Sequence, residues 1–334
     1  MSSKVLITGV AGFLGSHLAD ALIEKGHQII GVDNLLGGYE DNVPKEVEFH
    51  KLDCNDKSVS EIMKGVDVIY HCAATAYEGL SVFSPYLVNY HNYMSTVNLV
   101  NGAVKNNVSR FVFTSSMARY GTNEVPFSEE MNPRPQDPYA ISKVASEMHV
   151  KLMSEIHGFD YVIGVPHNII GPRQKYDDPY RNVASIMINL MLQDRQPIIY
   201  GDGNQMRCFS FVQDTLQALE KLGFADNVIS EVINIGPDEE FITINQLAET
   251  ISELLDFDLK PRFMTGRPQE VFHANCSANK ARNLLGYKTK YSLKQGLTEM
   301  IEYIRDRGPK PFNYHLEIEL VTEKTPKTWT NQLF

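Results

Sequence analysis

The fold is decided by Lys4-Val5-Leu6-Ile7-Thr8-Gly9-Val10-Ala11-Gly12-Phe13-Leu14-Gly15, near the start of this 334-residue chain. Its first five residues predict a short buried β-strand. The glycines at every third position allow a tight turn and close packing of a following helix on that strand. Leu14, Leu18 and Leu22 share one face of that predicted helix, which ends at Gly26. The stretch therefore predicts a strand–turn–helix unit.

Strand and helix patterns alternate beyond this unit, and the alternation predicts an α/β fold with a parallel sheet covered on both faces. The predicted strands are 28–33, 47–52, 66–72, 110–114, 161–165 and 232–235. The predicted helices are 58–64, 90–105, 140–156, 184–192 and 246–255, the last preceded by a capping box at Thr243 and Gln246. We predict a Rossmann-type, doubly wound domain over residues 1–165. A smaller α/β substrate-binding domain is expected over 166–308, with some segments returning to the first sheet, and 309–334 form a tail that is either docked or a dimer arm.

Asp33 indicates which dinucleotide the glycine turn would bind. It ends the second strand 18 residues after Gly15, where a carboxylate can accept hydrogen bonds from an adenosine ribose. The same charge would repel a 2′-phosphate, so the sequence favours NAD over NADP. Asp53 and Cys54 end the third strand and either contact adenine or form a solvated strand end.

Tyr139-x-x-x-Lys143 lies at the start of a predicted helix, which places both side chains on one face. A free tyrosine is a poor base at pH 7, but a nearby ammonium and a positive nicotinamide ring would favour its phenolate. Ser116, just after the strand 110–114, is expected to hydrogen-bond the reacting oxygen. These three residues are the predicted catalytic set.

Composition excludes several other classes of function. The formal net charge is −10, and no Lys/Arg cluster appears, so we expect no nucleic-acid partner. The four cysteines are scattered without a C-x-x-C pair, so neither a metal site nor a disulfide framework is expected. With no membrane-length apolar run and no signal-peptide pattern, the chain is predicted to be soluble and cytoplasmic.

Motifs along residues 3–305 make the sequence resemble the extended short-chain dehydrogenase/reductases, specifically the NAD-dependent nucleotide-sugar epimerase/dehydratase group with its UDP-glucose 4-epimerase-like members. The motifs that carry the resemblance are Thr8 to Gly15, Val32-Asp33-Asn34, His71-Cys72-Ala73-Ala74, Asn92-x-x-Ser95-Thr96-x-Asn98, Thr114-Ser115-Ser116-x-x-x-Tyr120-Gly121, Pro138-Tyr139-x-x-x-Lys143, Asn168-x-x-Gly171-Pro172-Arg173, Gly201-Asp202-Gly203 and Arg207-x-Phe209.

The resemblance implies a role for each matching position. Tyr139 is expected to be the base, Lys143 to bind the nicotinamide ribose and tune Tyr139, and Ser116 to be their partner. The positions implied for NAD binding are Gly9, Gly12, Phe13, Leu14, Gly15, Asp33, Asn34, Asp53, Cys54, Ala73, Ala74, Asn92, Ser115, Tyr139 and Lys143. Those implied for the substrate are Ser116, Tyr139, Tyr77, Glu78, Asn168, Asn182, Val183, Arg207 and Arg267. Arg267 and Glu78 have the alternative of being solvated surface residues.

The residues after Ser116 bear on the reaction. The 4,6-dehydratases of this group carry an acidic pair there, because eliminating water requires its own acid and base. Met117 and Ala118 cannot transfer protons, so the sequence excludes a dehydratase and favours a UDP-hexose 4-epimerase acting through a transient 4-keto sugar. An NAD(P)-dependent nucleotide-sugar reductase or dehydrogenase is the alternative. A catalytically silent dinucleotide-sensing protein is disfavoured by the intact catalytic set.

Some positions depart from the group's pattern. Val165, Cys208, Ser95 and Arg119 replace an arginine, an aspartate, a glycine and an aliphatic residue respectively, and the first two are expected to alter the substrate pocket. The resemblance also implies a C2 homodimer through helices 90–105 and 140–156.

Overall fold

The computed structural model describes residues 2–334, and their main feature is a seven-stranded parallel sheet. The strands in chain order are β1 (Lys4–Thr8), β2 (Gln28–Asp33), β3 (Glu48–Lys51), β4 (Val68–His71), β5 (Arg110–Thr114), β6 (Asp160–Pro166), β7 (Ile169–Ile170), β8 (Ile198–Tyr200), β9 (Met206–Cys208), β10 (Ser210–Phe211), β11 (Val232–Ile235), β12 (Phe241–Thr243), β13 (Arg262–Met264) and β14 (His273–Ala274). The sheet order is β3-β2-β1-β4-β5-β6-β11. The predicted Rossmann-type α/β fold is confirmed.

Helices cover both faces of this sheet. They are α1 (Phe13–Glu24), α2 (Val59–Ile62), α3 (Glu78–Ser81), α4 (Pro85–Asn89), α5 (Ser95–Lys105), α6 (Pro138–His157), α7 (Val183–Met191), α8 (Val212–Leu222), α9 (Ile244–Leu255), α10 (Asn279–Leu285), α11 (Leu293–Arg307) and α12 (Lys327–Thr330). Val5 and Ile7 of β1 belong to the apolar cluster that contains α1 and α8, whereas Leu6 belongs to the opposite cluster, under α5. Successive side chains of a strand point to opposite faces, so a strand buried on both sides needs an unbroken apolar run.

The second half of the chain builds a smaller layer around a third apolar cluster on α7, α9 and α11. Its short strands form three small sheets, β12-β9-β14, β13-β8 and β10-β7. Two segments of this half return to the main sheet: β11 pairs in parallel with β6, and α8 packs against α1. The division at residues 165 and 308 stays a prediction.

Two of the predicted helices are shorter than expected. The predicted helix 58–64 is one turn, Val59–Ile62, and the predicted helix 90–105 begins with a π-helical turn, Tyr90–Met94, before α5. The hydroxyl of Ser95 donates to the carbonyl of His91 at 2.6 Å, and that of Thr96 to the carbonyl of Asn92 at 2.7 Å. Side-chain hydroxyls that donate to helix carbonyls compete with the regular backbone hydrogen bonds. The spacing of apolar residues in the sequence does not reveal this competition.

The 309–334 segment, whose role the sequence left open, packs along its own chain. Trp329, Leu316 and Phe334 are buried in a cluster with Phe83 and Tyr180. No helix among residues 2–334 combines the length and apolar character needed to cross a membrane.

Candidate active site

A cavity of about 440 Å³ lies at the carboxyl ends of the main-sheet strands. This is where ligands bind in open parallel α/β sheets. The structure brings to its walls every site residue predicted from the sequence except Asn92. These are Gly9, Gly12, Phe13, Leu14, Gly15, Asp33, Asn34, Asp53, Cys54, Ala73, Ala74, Tyr77, Glu78, Ser115, Ser116, Tyr139, Lys143, Asn168, Asn182, Val183, Arg207 and Arg267.

The glycine turn has the shape of a dinucleotide cradle. Gly9 has φ +74°, and a Cβ on it would lie 2.8 Å from the Cα of Ala73. A Cβ on Gly15 would lie 2.2 Å from the carbonyl oxygen of Gly9. Only glycine fits at these two points, and the free helix N-terminus beside them favours an anion. The turn therefore fits the pyrophosphate of NAD.

Asp33 is held rigidly at the end of β2. Its Oδ2 accepts from the amide of Ala11 at 3.0 Å, and its Oδ1 accepts from the amide of Leu35 at 2.7 Å. Burial raises the pKa of this carboxyl, and the amide donors oppose that rise. Asp53, which the sequence left as an adenine contact or a solvated end, accepts from Asn34 Nδ2 at 2.8 Å and faces the cavity. Both carboxylates fit the adenosine half of NAD.

Asn92, predicted to lie near the cofactor, is buried behind the cavity wall. Its Oδ1 accepts from the amide of Thr75 at 2.8 Å, and its Nδ2 donates to Ser142 Oγ at 3.1 Å. It thereby ties the loop after β4 to helix α6. The π-helical turn around Asn92 is a feature that often marks functional sites.

The predicted catalytic residues converge where β5 meets α6. Lys143 Nζ donates to the carbonyl of Thr114 at 2.9 Å and lies 5.9 Å from the ring centroid of Tyr139. Ser116 Oγ accepts from the amide of Ala118 at 3.2 Å, which fixes its orientation. The side chains of Tyr139 and Lys143 are buried and face the cavity.

Burial governs the titration of these groups in the protein alone. Burial lowers the pKa of Lys143 to about 8. Burial also raises the pKa of Tyr139 above its usual value, and the hydrogen bond with Ser116 partly opposes that rise. The groups that shift the pKa of Tyr139 in the protein alone are its burial, Ser116, Glu78, Asp137 and Arg181, so the tuning of Tyr139 by Lys143 stays a prediction. The charge of Arg181 lowers the pKa of Tyr139, and a positive nicotinamide ring would favour the phenolate further when NAD is bound.

Two carboxyl groups that face the cavity near Tyr139 oppose its ionisation. Asp137 caps the N-terminus of α6 by accepting from the amide of Ala140 at 2.8 Å, and Ser81 bridges it to the backbone of Glu78. Burial and the charge of Glu78 raise the pKa of Asp137 to about 7. Glu78 and Asp137 in turn raise the pKa of Tyr139, after burial itself. The predicted site did not include Asp137, although an aspartate before Pro-Tyr at a helix start has the pattern of an N-cap.

We expect Asp137→Asn to move the acid limb of the kcat/KM profile to lower pH by about 0.5–1 unit. Asparagine keeps the helix cap, but it removes the charge that opposes the Tyr139 phenolate. Because the Asp137 carboxyl carries its charge above about pH 7, the shift is expected for an acid limb that lies at or above that pH. The pH–rate profiles of the two proteins give the measurement. A limb that stays in place or moves to higher pH contradicts the assigned electrostatics.

A buried ion pair lies behind the catalytic turn. Arg119 Nε donates to Glu147 Oε1 at 2.9 Å and Arg119 Nη2 to Oε2 at 3.0 Å, and Ser115 Oγ also donates to Glu147. Both charged side chains are almost completely enclosed. The pair joins the turn that carries Ser116 to the helix that carries Lys143.

Two arginines predicted to bind substrate lie together in the cavity wall. Arg267 Nη2 lies 3.1 Å from Glu270 Oε1, and Arg207 Nη2 lies 4.0 Å from the same oxygen. Their forked guanidinium groups suit a diphosphate. Asn168 lies beside them and donates to the carbonyl of Cys208 at 3.0 Å. The group of residues fits an anionic substrate.

Arg181 is a cavity residue that the sequence analysis missed. Its Nη2 donates to the carbonyl of Gly37 at 2.8 Å, and its Nε lies 3.3 Å from Asp178 Oδ2. Its guanidinium carbon lies 4.6 Å from the ring centroid of Tyr77. Its partners are distant in sequence, so no local pattern could have indicated this position.

The comparisons with known proteins agree with this geometry. Residues 5–236 match the model of the NAD dependent epimerase/dehydratase family, and the chain belongs to that family. A putative UDP-glucose 4-epimerase of Methanocaldococcus jannaschii is 34% identical over 91% of this chain and 99% of its own length. A UDP-N-acetyl-alpha-D-glucosaminuronate decarboxylase of Bacillus cytotoxicus is 30% identical over 92% of this chain and 99% of its own. The crystal structure of UDP-glucose 4-epimerase from Thermotoga maritima with UDP-glucose superposes with a TM-score of 0.85 at 31% identity, covering 91% of this chain and 99% of that one.

The protein is therefore an NAD-dependent nucleotide-sugar enzyme of the extended short-chain dehydrogenase/reductase type. The glycine cradle, Asp33 and Lys143 are the residues that fit NAD. When bound, NAD supplies the capacity to accept and return a hydride at its nicotinamide ring.

Proposed function

We propose that the protein is a UDP-hexose 4-epimerase that works through a transient 4-keto sugar. The observation that carries the proposal is that Ser116, Tyr139 and Lys143 line the same cavity as Arg207 and Arg267. That arrangement suits oxidation of a sugar hydroxyl in a sugar held by its diphosphate.

The residues act on one proton during the reaction. Tyr139 phenolate takes the proton of the sugar 4-hydroxyl while the C4 hydrogen leaves as hydride, and the C4–O bond becomes a carbonyl. Ser116 hydrogen-bonds this oxygen. After the keto sugar turns over, hydride returns to the opposite face of C4 and Tyr139 gives the proton back to the oxygen. The oxidation and the reduction balance, so no net oxidant is consumed.

Two features favour this reaction over those of other family members. Met117 and Ala118 cannot supply the acid and base of a dehydratase. A uronic-acid decarboxylase must accept a sugar carboxylate, and Glu78 and Asp137 already place two acidic groups in the cavity near Tyr139. The pKa values of both acids are already raised, and a sugar carboxylate beside them would add a further negative charge. The pocket thus favours a neutral hexose.

A panel of UDP-sugars, incubated with purified protein and no added cofactor, tests the proposal. Product mass spectrometry and NMR should show an isomer of unchanged mass inverted at C4, and denaturation should release bound NAD. Loss of carbon dioxide from a UDP-uronate would indicate a decarboxylase. A stoichiometric requirement for NAD(P)H would instead support the reductase alternative.

We also propose that the enzyme is a cytoplasmic homodimer. Helix α6 contacts both α4 and α5, and exposed apolar side chains lie on α4, on the π-helical turn Tyr90–Met94 and on α6. These are Tyr86, Tyr90, Met94, Ile141, Met148, Leu152 and Ile156. Exposed apolar side chains grouped on neighbouring helices mark an interface, and a second copy related by a twofold axis would cover them.

We expect Leu152→Glu to convert the dimer to a monomer, because two added carboxylates would face each other across the axis. Light scattering coupled to size-exclusion chromatography measures the mass. Glu155→Gln, on the same helix, removes a charge without adding one and should leave the mass unchanged. A Leu152→Glu protein that elutes with the mass of the wild type contradicts an interface on these helices.

A further inference from the structure

The 309–334 segment connects both halves of the chain at the edge of the cavity. On the side of the main sheet, the amide of Leu320 donates to the carbonyl of Phe83 at 2.8 Å, and Glu319 accepts from the amide of Leu87 at 2.7 Å. On the other side, Arg195 Nη2 donates to the carbonyl of Leu333 at 3.0 Å. The segment is thus bonded across the boundary between the two halves.

The segment also contributes to the cavity wall. The side chain of Phe334 lines the cavity, and it is fixed by a bond from its own amide to the Tyr314 hydroxyl at 3.0 Å. The hydroxyl of Thr328 bonds that of Tyr200, another wall residue. Trp329 packs edge-on against Tyr180, with ring centroids 5.3 Å apart.

A chain of neighbouring wall residues leads from Tyr139 to Phe334. Glu78 interacts electrostatically with Tyr139, and a Cβ on the neighbouring Gly79 would lie 3.0 Å from Arg267 Nη1. The guanidinium carbon of Arg267 lies 4.7 Å from the ring centroid of Tyr200. Tyr200 shares an apolar cluster with Phe334, Ile186 and Ile198, all of which line the cavity. Beyond the arginines the cavity therefore continues into an apolar, aromatic arm.

We propose that the 309–334 segment, through Phe334, completes the wall against which the nucleobase of the substrate packs, so that this segment determines nucleotide affinity. This inference rests on the proposed function, because a sugar at Tyr139 and a diphosphate at the arginines leave the base for the next part of the cavity. A flat heteroaromatic ring buries its faces well against aromatic side chains. The hydroxyl of Thr328 positions Tyr200, and Tyr200 in turn supports Arg267.

Phe334→Ala in the full-length, NAD-loaded enzyme tests the wall directly. We expect the Kd for UDP, measured by calorimetry, to rise about 10-fold, because one aromatic contact to the base is lost. The KM for the UDP-sugar should rise with it, while kcat stays within about twofold, since binding common to the ground and transition states is removed. Val321→Ala, at an exposed site of the same segment, is the matched control and should change neither constant.

The outcomes separate this inference from the proposed reaction. A Phe334→Ala enzyme that binds UDP as tightly as the wild type overturns the role of the segment, whatever the reaction. Tight, Phe334-dependent UDP binding without epimerisation of any UDP-sugar supports the wall and overturns the reaction. A wild type that does not bind UDP overturns both. If Phe334→Ala unfolds, Phe334→Leu replaces it, and an unchanged Kd for UDP in that variant has the same meaning.

A second pair of variants tests the positioning of Tyr200. Thr328→Val and Tyr200→Phe each remove one partner of the same hydroxyl bond. Each should raise the KM for the UDP-sugar with kcat retained, and the double variant should be no worse than the poorer single one. Fully additive effects would show that the bond does not position Tyr200.

Discussion

Tyr139→Phe should lower kcat by a factor of about 10³–10⁴ while the protein keeps its NAD. Phenylalanine preserves the buried ring but removes the only atom that accepts the sugar proton. Lys143, Asp33 and the glycine turn, which fit the cofactor, are untouched. Product formation from a UDP-hexose and the NAD released on denaturation are measured on the same preparation.

Tyr70→Phe is the matched control for this variant. The Tyr70 hydroxyl donates to the carbonyl of Glu220 at 2.7 Å and does not line the cavity. Its loss should leave kcat unchanged. Turnover of Tyr139→Phe within about tenfold of the wild type, well short of the usual effect of a lost acid–base group, would remove Tyr139 as the base.

Arg119→Met should destabilise the protein by about 3–5 kcal/mol, because it leaves the Glu147 carboxylate buried without its cation. Glu147 accepts three hydrogen bonds from the guanidinium, at 2.9, 3.0 and 3.2 Å, and it is almost completely buried. The free energy of unfolding in urea gives the measurement. Kcat should fall as well, since the pair holds the Ser116 turn against α6.

The double variant Arg119→Met/Glu147→Met provides the control. Replacing both charges by apolar side chains should recover most of the lost stability, because no buried charge is left unpaired. Arg282→Met breaks a partly exposed pair with Asp238 and should cost less than about 1 kcal/mol. An Arg119→Met loss as small as that of Arg282→Met would contradict a buried, tightly bonded pair.

The parts of the site that could be predicted from the sequence depend on short-range spacing. Gly9 and Gly15 follow a strand and begin a helix, and Tyr139 and Lys143 lie one helical turn apart. Asp33 ends the strand beside the glycine turn. In each case the local geometry follows from the spacing once the element type is known. The structure brings all five residues to one cavity.

The other parts depend on contacts between distant segments. Arg181 is held at the cavity by its hydrogen bond to the carbonyl of Gly37. Phe334 is held there by the 309–334 segment, which is hydrogen-bonded to both halves of the chain. Asn92 belongs to a motif typical of the family, but it lies behind the cavity wall. Its side-chain amide is hydrogen-bonded to Thr75 and Ser142. The short strands β7 to β10 and β12 to β14 were also missed, since runs of two or three residues carry no measurable periodicity.

The most direct test of the account uses a UDP-hexose labelled with deuterium at C4, incubated with the purified enzyme and no added cofactor. NMR should show the C4 epimer with the deuterium still at C4, because the hydrogen that leaves this carbon is the one that returns to its other face. Loss of the label to solvent, or conversion that stops at a keto sugar with accumulation of reduced cofactor, would contradict a 4-epimerase.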